Sequence, residues 1–145
     1  MKARLLRSEG QQTFALVFQT GDEVMQGLLA FAKQHDLAAS HFSGIGAFSD
    51  VTLGYFDWER KDYIRIPVAE QVEVLSLAGD VTLGEDGPKV HAHVVVGKFD
   101  GTAHGGHLLE AHVRPTLEVT LIEAPAHLRR TLDPASGLPL IDLDA

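Results

Sequence analysis

The chain has 145 residues, of which 45% are hydrophobic and 22% charged, and its formal net charge is −8. This size and composition are typical of one globular unit, so we expect residues 1–145 to form a single domain. The acidic balance disfavours nucleic acid as a partner, because binding to phosphates draws on an excess of lysine and arginine. The chain has no cysteine, which excludes disulfides and thiolate metal ligands.

Neither a membrane span nor a secretion signal is predicted. No segment has about 18 consecutive apolar residues, the length that a membrane-spanning helix needs. The N-terminal segment MKARLLRSEGQQ also lacks the apolar run of a signal peptide. We therefore expect a cytoplasmic protein with no membrane partner.

The first half of the chain predicts two strands, a helix and further β-structure. KARLL and TFALVFQT are predicted strands separated by a polar turn. Residues 20–36 predict a long helix, because Thr20 and Glu23 have the spacing of a capping box and apolar residues follow at helical spacing. In SHFSGIGAFSDVTLGYFD the glycines interrupt a strand pattern, which indicates a bulge or a close backbone approach.

The second half predicts more strands and explicit turns. Strand patterns occur in DYIRIPV, QVEVLSLAGDVTL, VHAHVVVGKF and TLEVTLIE, and residues 100–101 are a hairpin signal, Asp-Gly. After them we expect a short helix around residues 127–131, a DPASG turn and a final strand or extended arm. With one long helix evident, regular β-α-β alternation is not expected. The predicted fold class is α+β, a mostly antiparallel sheet with one long helix and one or two short helices packed on it.

Four of the eight histidines lie in the segment HAHVVVGKFDGTAHGGH, residues 91–107. On a strand, residues two apart project from the same face, so His91 and His93 point the same way. Two imidazoles at that spacing can converge on one metal ion. The alternative is a surface or hydrogen-bonded pair with no metal.

A third histidine after the turn strengthens the metal interpretation. Either His104 or His107 is available, and His104 is the weaker candidate because it lies nearer the turn. Gly105 and Gly106 would let the backbone bend and bring His107 towards the pair. Three neutral imidazoles with an open fourth position are a known arrangement of catalytic zinc.

Glu118 is the candidate catalytic residue. It is the one acidic residue between Thr116 and Leu121 in an apolar strand. Its carboxylate could orient a ligating imidazole or serve as a general base. Alternatively the strand is half exposed and Glu118 faces water.

The motifs together resemble the plants and prokaryotes conserved (PPC) domain family over almost the whole chain, with a tail similar to that of the stand-alone bacterial members. The similar segments are SGIGAFSDVTLGYFD, VEVLSLAGDVTL and above all HAHVVVGKFDGTAHGGHLLEAHVRPTLEV. The resemblance implies an antiparallel α+β domain that assembles as a homotrimer. It also implies that His91, His93 and His107 are the metal-binding histidines, with zinc as a possible metal, and it favours His107 over His104.

Two functions from different classes follow. One is a metal-dependent protein acting on a small molecule, in which zinc would polarise a carbonyl or activate water. The other is a non-catalytic assembly domain with a regulatory, DNA-binding role, as in plant members that carry an AT-hook. This chain has no Arg-Gly-Arg-Pro sequence, and its charge argues against DNA. The residues alone do not decide whether the protein is an enzyme.

Overall fold

Strands dominate the fold, because apolar and polar residues alternate along most of the chain. The computed structural model describes residues 1–7 and 10–145, so the turn predicted between the first two strands lies partly outside the described residues. The strands of the described chain are β1 (Lys2–Arg7), β2 (Gln12–Gln19), β3 (Ala39–Asp57), β4 (Asp62–Val68), β5 (Val72–Gly84), β6 (Gly87–Gly97), β7 (Ala103–Glu123), β8 (Arg129–Leu132) and β9 (Pro139–Asp142). The helix is α1 (Val24–Gln34).

The strands form one sheet with the order β1-β2-β7-β3-β5-β8-β9. β4 pairs with β3 alone, whereas β6 pairs with both β5 and β7. β5 and β7 also pair with β3. The four strands β3, β5, β6 and β7 therefore form a closed set, each hydrogen-bonded to two of the others, around apolar side chains. Only the contact between β5 and β8 is parallel among the described ladders.

The helix is shorter than predicted and has a different cap. It begins at Val24, and the Glu23 carboxylate accepts hydrogen bonds from the backbone N–H groups of Met25 and Gln26. The predicted capping residue, Thr20, instead donates its hydroxyl hydrogen to the Pro115 carbonyl at 3.2 Å. The apolar face predicted from the helical spacing is buried in the core.

The predicted α+β class is wrong in its helical content. Strands make up 65% of the structure and helix 8%, all of it in the 11 residues of α1. The short helix expected around residues 127–131 is instead strand β8, which forms a hairpin with β9. The physical reason is Arg130, whose guanidinium donates hydrogen bonds to Thr82 and Asp80 and holds this segment extended beside β5.

Strand β7 is much longer than the TLEVTLIE segment that predicted it. It begins at Ala103 and runs for 21 residues. The first part of β7 was not predicted as a strand because it contains Gly105, Gly106 and Pro115, and such residues usually weaken or end a strand.

No helix of the described chain is long and apolar enough to cross a membrane.

Candidate metal centre

The register of two neighbouring strands, β6 and β7, brings the predicted histidines together. His91 and His93 lie on the outer face of β6, away from the apolar side chains that β3, β5, β6 and β7 enclose, since Ala92 between them is buried. His93 lies directly opposite His107 of β7. The two-residue period of β6 and the register of the β6–β7 hairpin therefore place all three imidazoles on one outer patch.

The three rings are close enough to share one ion. One ring nitrogen from each of His91, His93 and His107 lies within 4.8 Å of the other two. The Nε2 atoms of His91 and His93 are 3.1 Å apart. Ligands at about 2.0–2.1 Å from a tetrahedral zinc ion are themselves a little over 3 Å apart. The His91–His93 spacing is thus already that of a ligand pair.

The two glycines do not act as the predicted bend. Gly105 and Gly106 remain in the ladder, opposite Val95 and Val94. A Cβ atom on Gly106 would lie 2.8 Å from the Gly54 carbonyl oxygen of β3. Gly106 is therefore needed for the close approach of β3 and β7, and the hairpin register alone carries His107 to His93.

Asp80, which no sequence motif singled out, orients His91. It lies opposite His91 on β5, with its Oδ2 3.5 Å from His91 Nδ1. A carboxylate at Nδ1 favours the tautomer that carries its hydrogen there and leaves Nε2 free as a ligand. The available signal was a lone acidic residue in AGDVTL, but its relevance depends on the β5–β6 register.

Arg130 keeps Asp80 charged and in place. Its Nη2 donates to Asp80 Oδ1 at 2.8 Å, and its side chain is only 9% exposed. Burial by itself raises the pKa of Asp80, but hydrogen bonds from His91 and Arg130 outweigh it and lower that pKa below the usual range. Asp80 is consequently an anion at neutral pH.

His107 is the most enclosed of the three histidines. Its ring stacks on Tyr63, with centroids 4.4 Å apart, and lies 5.2 Å from the ring of His91. Its Nδ1 atom is buried without a hydrogen-bond partner, and among the described side chains it alone is in that position. Burial, followed by the charges of His91 and His93, lowers the pKa of His107 to about 4.

The donor set fits a divalent metal ion of the zinc type. Burial and the charge of His91 also lower the pKa of His93, so His93 and His107 are both neutral at pH 7, as ligation requires. Neutral imidazole nitrogens suit zinc among the common ions. An unpartnered buried nitrogen on His107 is costly in a bare site and is the kind of atom that an ion would satisfy.

The structure does not bring His104 or Glu118 to this cluster. His104 lies opposite Val96 and is exposed, with its Nε2 3.5 Å from the Thr102 hydroxyl. Glu118 lies eleven residues beyond His107 along β7, between Val17 of β2 and Ile45 of β3. The carboxylate beside the histidines is that of Asp80.

These observations define a β-rich domain with a three-histidine centre on its outer surface. The sequence pattern of the Plants and Prokaryotes Conserved domain, abbreviated PCC or PPC, matches residues 6–125. The chain belongs to this family, and the resemblance noted from its motifs is confirmed. Among curated proteins, none matches the sequence.

Solved structures share both the fold and a moderate sequence identity. A PPC protein of Pyrococcus horikoshii is 32% identical, with a TM-score of 0.85 and coverage of 97% of this chain and 94% of that chain. A metal-containing protein of Archaeoglobus fulgidus is 34% identical, with a TM-score of 0.82 and coverage of 89% and 91%. A candidate DNA-binding protein of Bacteroides thetaiotaomicron is 26% identical, with a TM-score of 0.88 and coverage of 99% of both chains.

Proposed function

We propose that this single-domain PPC protein, residues 1–145, binds a divalent metal ion through His91, His93 and His107, and that the loaded site acts on a small molecule. The observation that carries the proposal is the convergence of three imidazole nitrogens within 4.8 Å of one another. The similarity to a metal-containing protein of Archaeoglobus fulgidus supports it. Zinc is our first choice, because all three donors are imidazoles.

The residues around the ion would each have a defined task. A bound zinc ion would supply a Lewis acid that polarises a carbonyl or activates water. Asp80 would hold the His91 ring by its Nδ1 hydrogen, and Arg130 would hold Asp80. Tyr63 would cover one face of His107 and keep bulk water away from it.

Competition with a zinc-chelating dye tests this proposal. Wild type and His93→Ala would be titrated alongside His104→Ala, which removes a histidine from the same hairpin but outside the cluster. We expect His93→Ala to lose at least about a hundredfold in zinc affinity, since even loss of a group that only orients a ligand costs 10–100-fold. We expect His104→Ala to match wild type. Equal affinity of His93→Ala and wild type would reject the site.

We also propose a homotrimer, assembled through an apolar row on the outside of the sheet. Val17, Glu118 and Ile45 lie side by side across β2, β7 and β3. Ile45 is 64% exposed and Leu75 of β5 is 54% exposed. Exposed apolar side chains grouped in this way are typical of protein interfaces. Glu118, our sequence candidate for catalysis, would on this proposal face a neighbouring subunit.

Light scattering coupled to size exclusion tests the assembly. Wild type should have three times the 15.7 kDa mass of one chain. Ile45→Asp should shift the mass towards that of a monomer, because it places a charge in the apolar row. A monomer mass for wild type at micromolar concentration would contradict the proposal.

The alternative function is DNA binding by a non-catalytic domain. It is favoured by the similarity to a candidate DNA-binding protein of Bacteroides thetaiotaomicron. The net charge of −8 opposes it. Fluorescence anisotropy with duplex DNA at about 150 mM salt separates the two, and a submicromolar dissociation constant would favour this alternative.

A further inference from the structure

A cavity of about 250 Å³ opens beside the histidine cluster, and its composition indicates what it binds. His91 and His107 form part of its wall, together with Tyr63. The C-terminal hairpin also lines the cavity, through Leu138 and Leu140. That hairpin lies beyond residue 125, where the match to the family pattern ends. The cavity is therefore built partly from residues that lie outside the family pattern.

The positive charge available to a ligand in this cavity belongs to Lys89. Lys89 lies two residues before His91 in β6, and strand periodicity places both on the same outer face. Lys89 lines the cavity and makes no ion pair within the described part of the chain. An unpaired ammonium at the edge of a mostly apolar cavity is a suitable partner for one anionic group.

The other cation of the cavity, Arg130, is already committed. Its Nε donates to the Thr82 hydroxyl, its Nη1 to the Pro139 carbonyl and its Nη2 to Asp80, at 2.7, 2.9 and 2.8 Å. Its charge is balanced by Asp80, and its bonds fix the C-terminal hairpin in place. Arg130 thus builds the cavity wall, and Lys89 remains as the single free cation of that wall.

We propose that this cavity binds a small monocarboxylate with an apolar body. The carboxylate would lie between the Lys89 ammonium and the metal-loaded histidines, and the body would pack against Leu138 and Leu140. The inference rests on the metal site of the proposed function. A cavity of this volume lies below the usual 300–1,000 Å³ of pockets for drug-sized ligands, so the ligand is small.

The wall favours a carboxylate over a phosphate. Phosphate sites present several hydrogen-bond donors, from arginine forks or from backbone N–H groups at a helix N-terminus. Here one lysine is free and the arginine is occupied, while the C-terminal hairpin contributes leucines. One ammonium beside an apolar wall matches one carboxylate with a hydrocarbon chain.

Calorimetry on the zinc-loaded full chain tests the inference, with isocaproate as the probe and isocaproamide and inorganic phosphate as comparisons. We expect isocaproate to bind once per chain and the other two to bind at least about tenfold more weakly, because only the acid supplies one charge and one apolar body. Lys89→Gln should weaken isocaproate binding by at least about tenfold while leaving zinc affinity unchanged. Lys2→Gln, which removes an exposed lysine from β1 far along the sheet, is the matched control.

A second variant separates the carboxylate contact from the apolar one. Leu138→Ala should weaken binding of isocaproate but not of acetate, which has no hydrocarbon chain to pack. Equal binding of acid and amide, tighter binding of phosphate, or no effect of Lys89→Gln would each overturn the inference. Zinc binding without isocaproate binding would reject this inference alone. Failure to bind zinc would reject the proposed function and this inference together.

Discussion

Two histidines on strand β7 lie in opposite electrostatic surroundings. His107 is enclosed by Tyr63, His91 and His93, and burial lowers its pKa to about 4. His112, five residues further along, has its Nδ1 2.8 Å from Asp50 Oδ1, and this hydrogen bond raises its pKa.

The difference indicates which histidines of this chain are suited to bind a metal ion. The carboxylate beside His112 binds its ring directly and favours the protonated, cationic form. In the cluster the carboxylate of Asp80 acts on His91 alone, is itself balanced by Arg130, and leaves His93 and His107 neutral. His91 is therefore suited to ligation because two further imidazoles converge on it, whereas His112 has only its carboxylate partner.

The largest effect that sharpens this comparison is expected from Asp80→Asn. Loss of the carboxylate should weaken zinc binding by about 10–100-fold, because His91 loses the partner that fixes its tautomer and ring orientation. The readout is competition against a chelating dye. Asp50→Asn is the matched control, because it removes the carboxylate that binds His112, outside the cluster. The zinc affinity of this variant should equal that of wild type. An unchanged zinc affinity for Asp80→Asn would show that Asp80 does not orient His91 for metal binding.

Part of this site could be predicted from the sequence. The spacing of His91 and His93 placed them on one face, because a strand repeats every two residues whatever surrounds it. His107 required the hairpin register, for which the residues alone left His104 open. Asp80 and Arg130 are distant in sequence and meet the histidines only through the β5–β6 pairing and the C-terminal hairpin.

The errors in the fold have similar causes. Residues 127–131 have helix-forming composition, but tertiary hydrogen bonds from Arg130 hold them in a strand. The glycines of β7 suggested a bend, yet Gly106 lies in the ladder at a close approach to β3. Glu118 stood out as an acid in an apolar strand, and local sequence does not distinguish the outer face of a sheet from an active site.

A smaller effect is expected in the acid stability of the metal-free protein. The pKa of His107 is lowered to about 4, so below pH 6.5 the unfolded chain takes up a proton that the folded chain does not. The free energy of unfolding should therefore fall as the pH drops from about 6.5 to 4, by on the order of 2 kcal/mol for this residue. Urea unfolding of wild type and His107→Gln at a series of pH values measures it. Parallel pH profiles for the two proteins would contradict the burial of a neutral His107.

The smallest effect concerns His112. Its NMR titration midpoint should lie above the ordinary value of 6.5, and Asp50→Asn should bring it back down. The pH dependence of stability is opposite to that of His107. Because the pKa of His112 is raised in the folded state, His112 stabilises the fold below pH 6.5, and this contribution is lost as the pH rises through the folded-state pKa. Both side chains are partly exposed, so the contribution is small. A midpoint that does not respond to Asp50→Asn would break the contrast between the two histidines.

The most direct test of the central claim is elemental analysis of the full chain, purified without metal-affinity chromatography and dialysed against a weak chelator. We expect about one equivalent of a divalent metal, zinc foremost, in wild type and in His112→Ala, and close to none in His93→Ala. A wild-type protein free of metal, or a His93→Ala protein with as much metal as wild type, would contradict the assignment of His91, His93 and His107 as ligands.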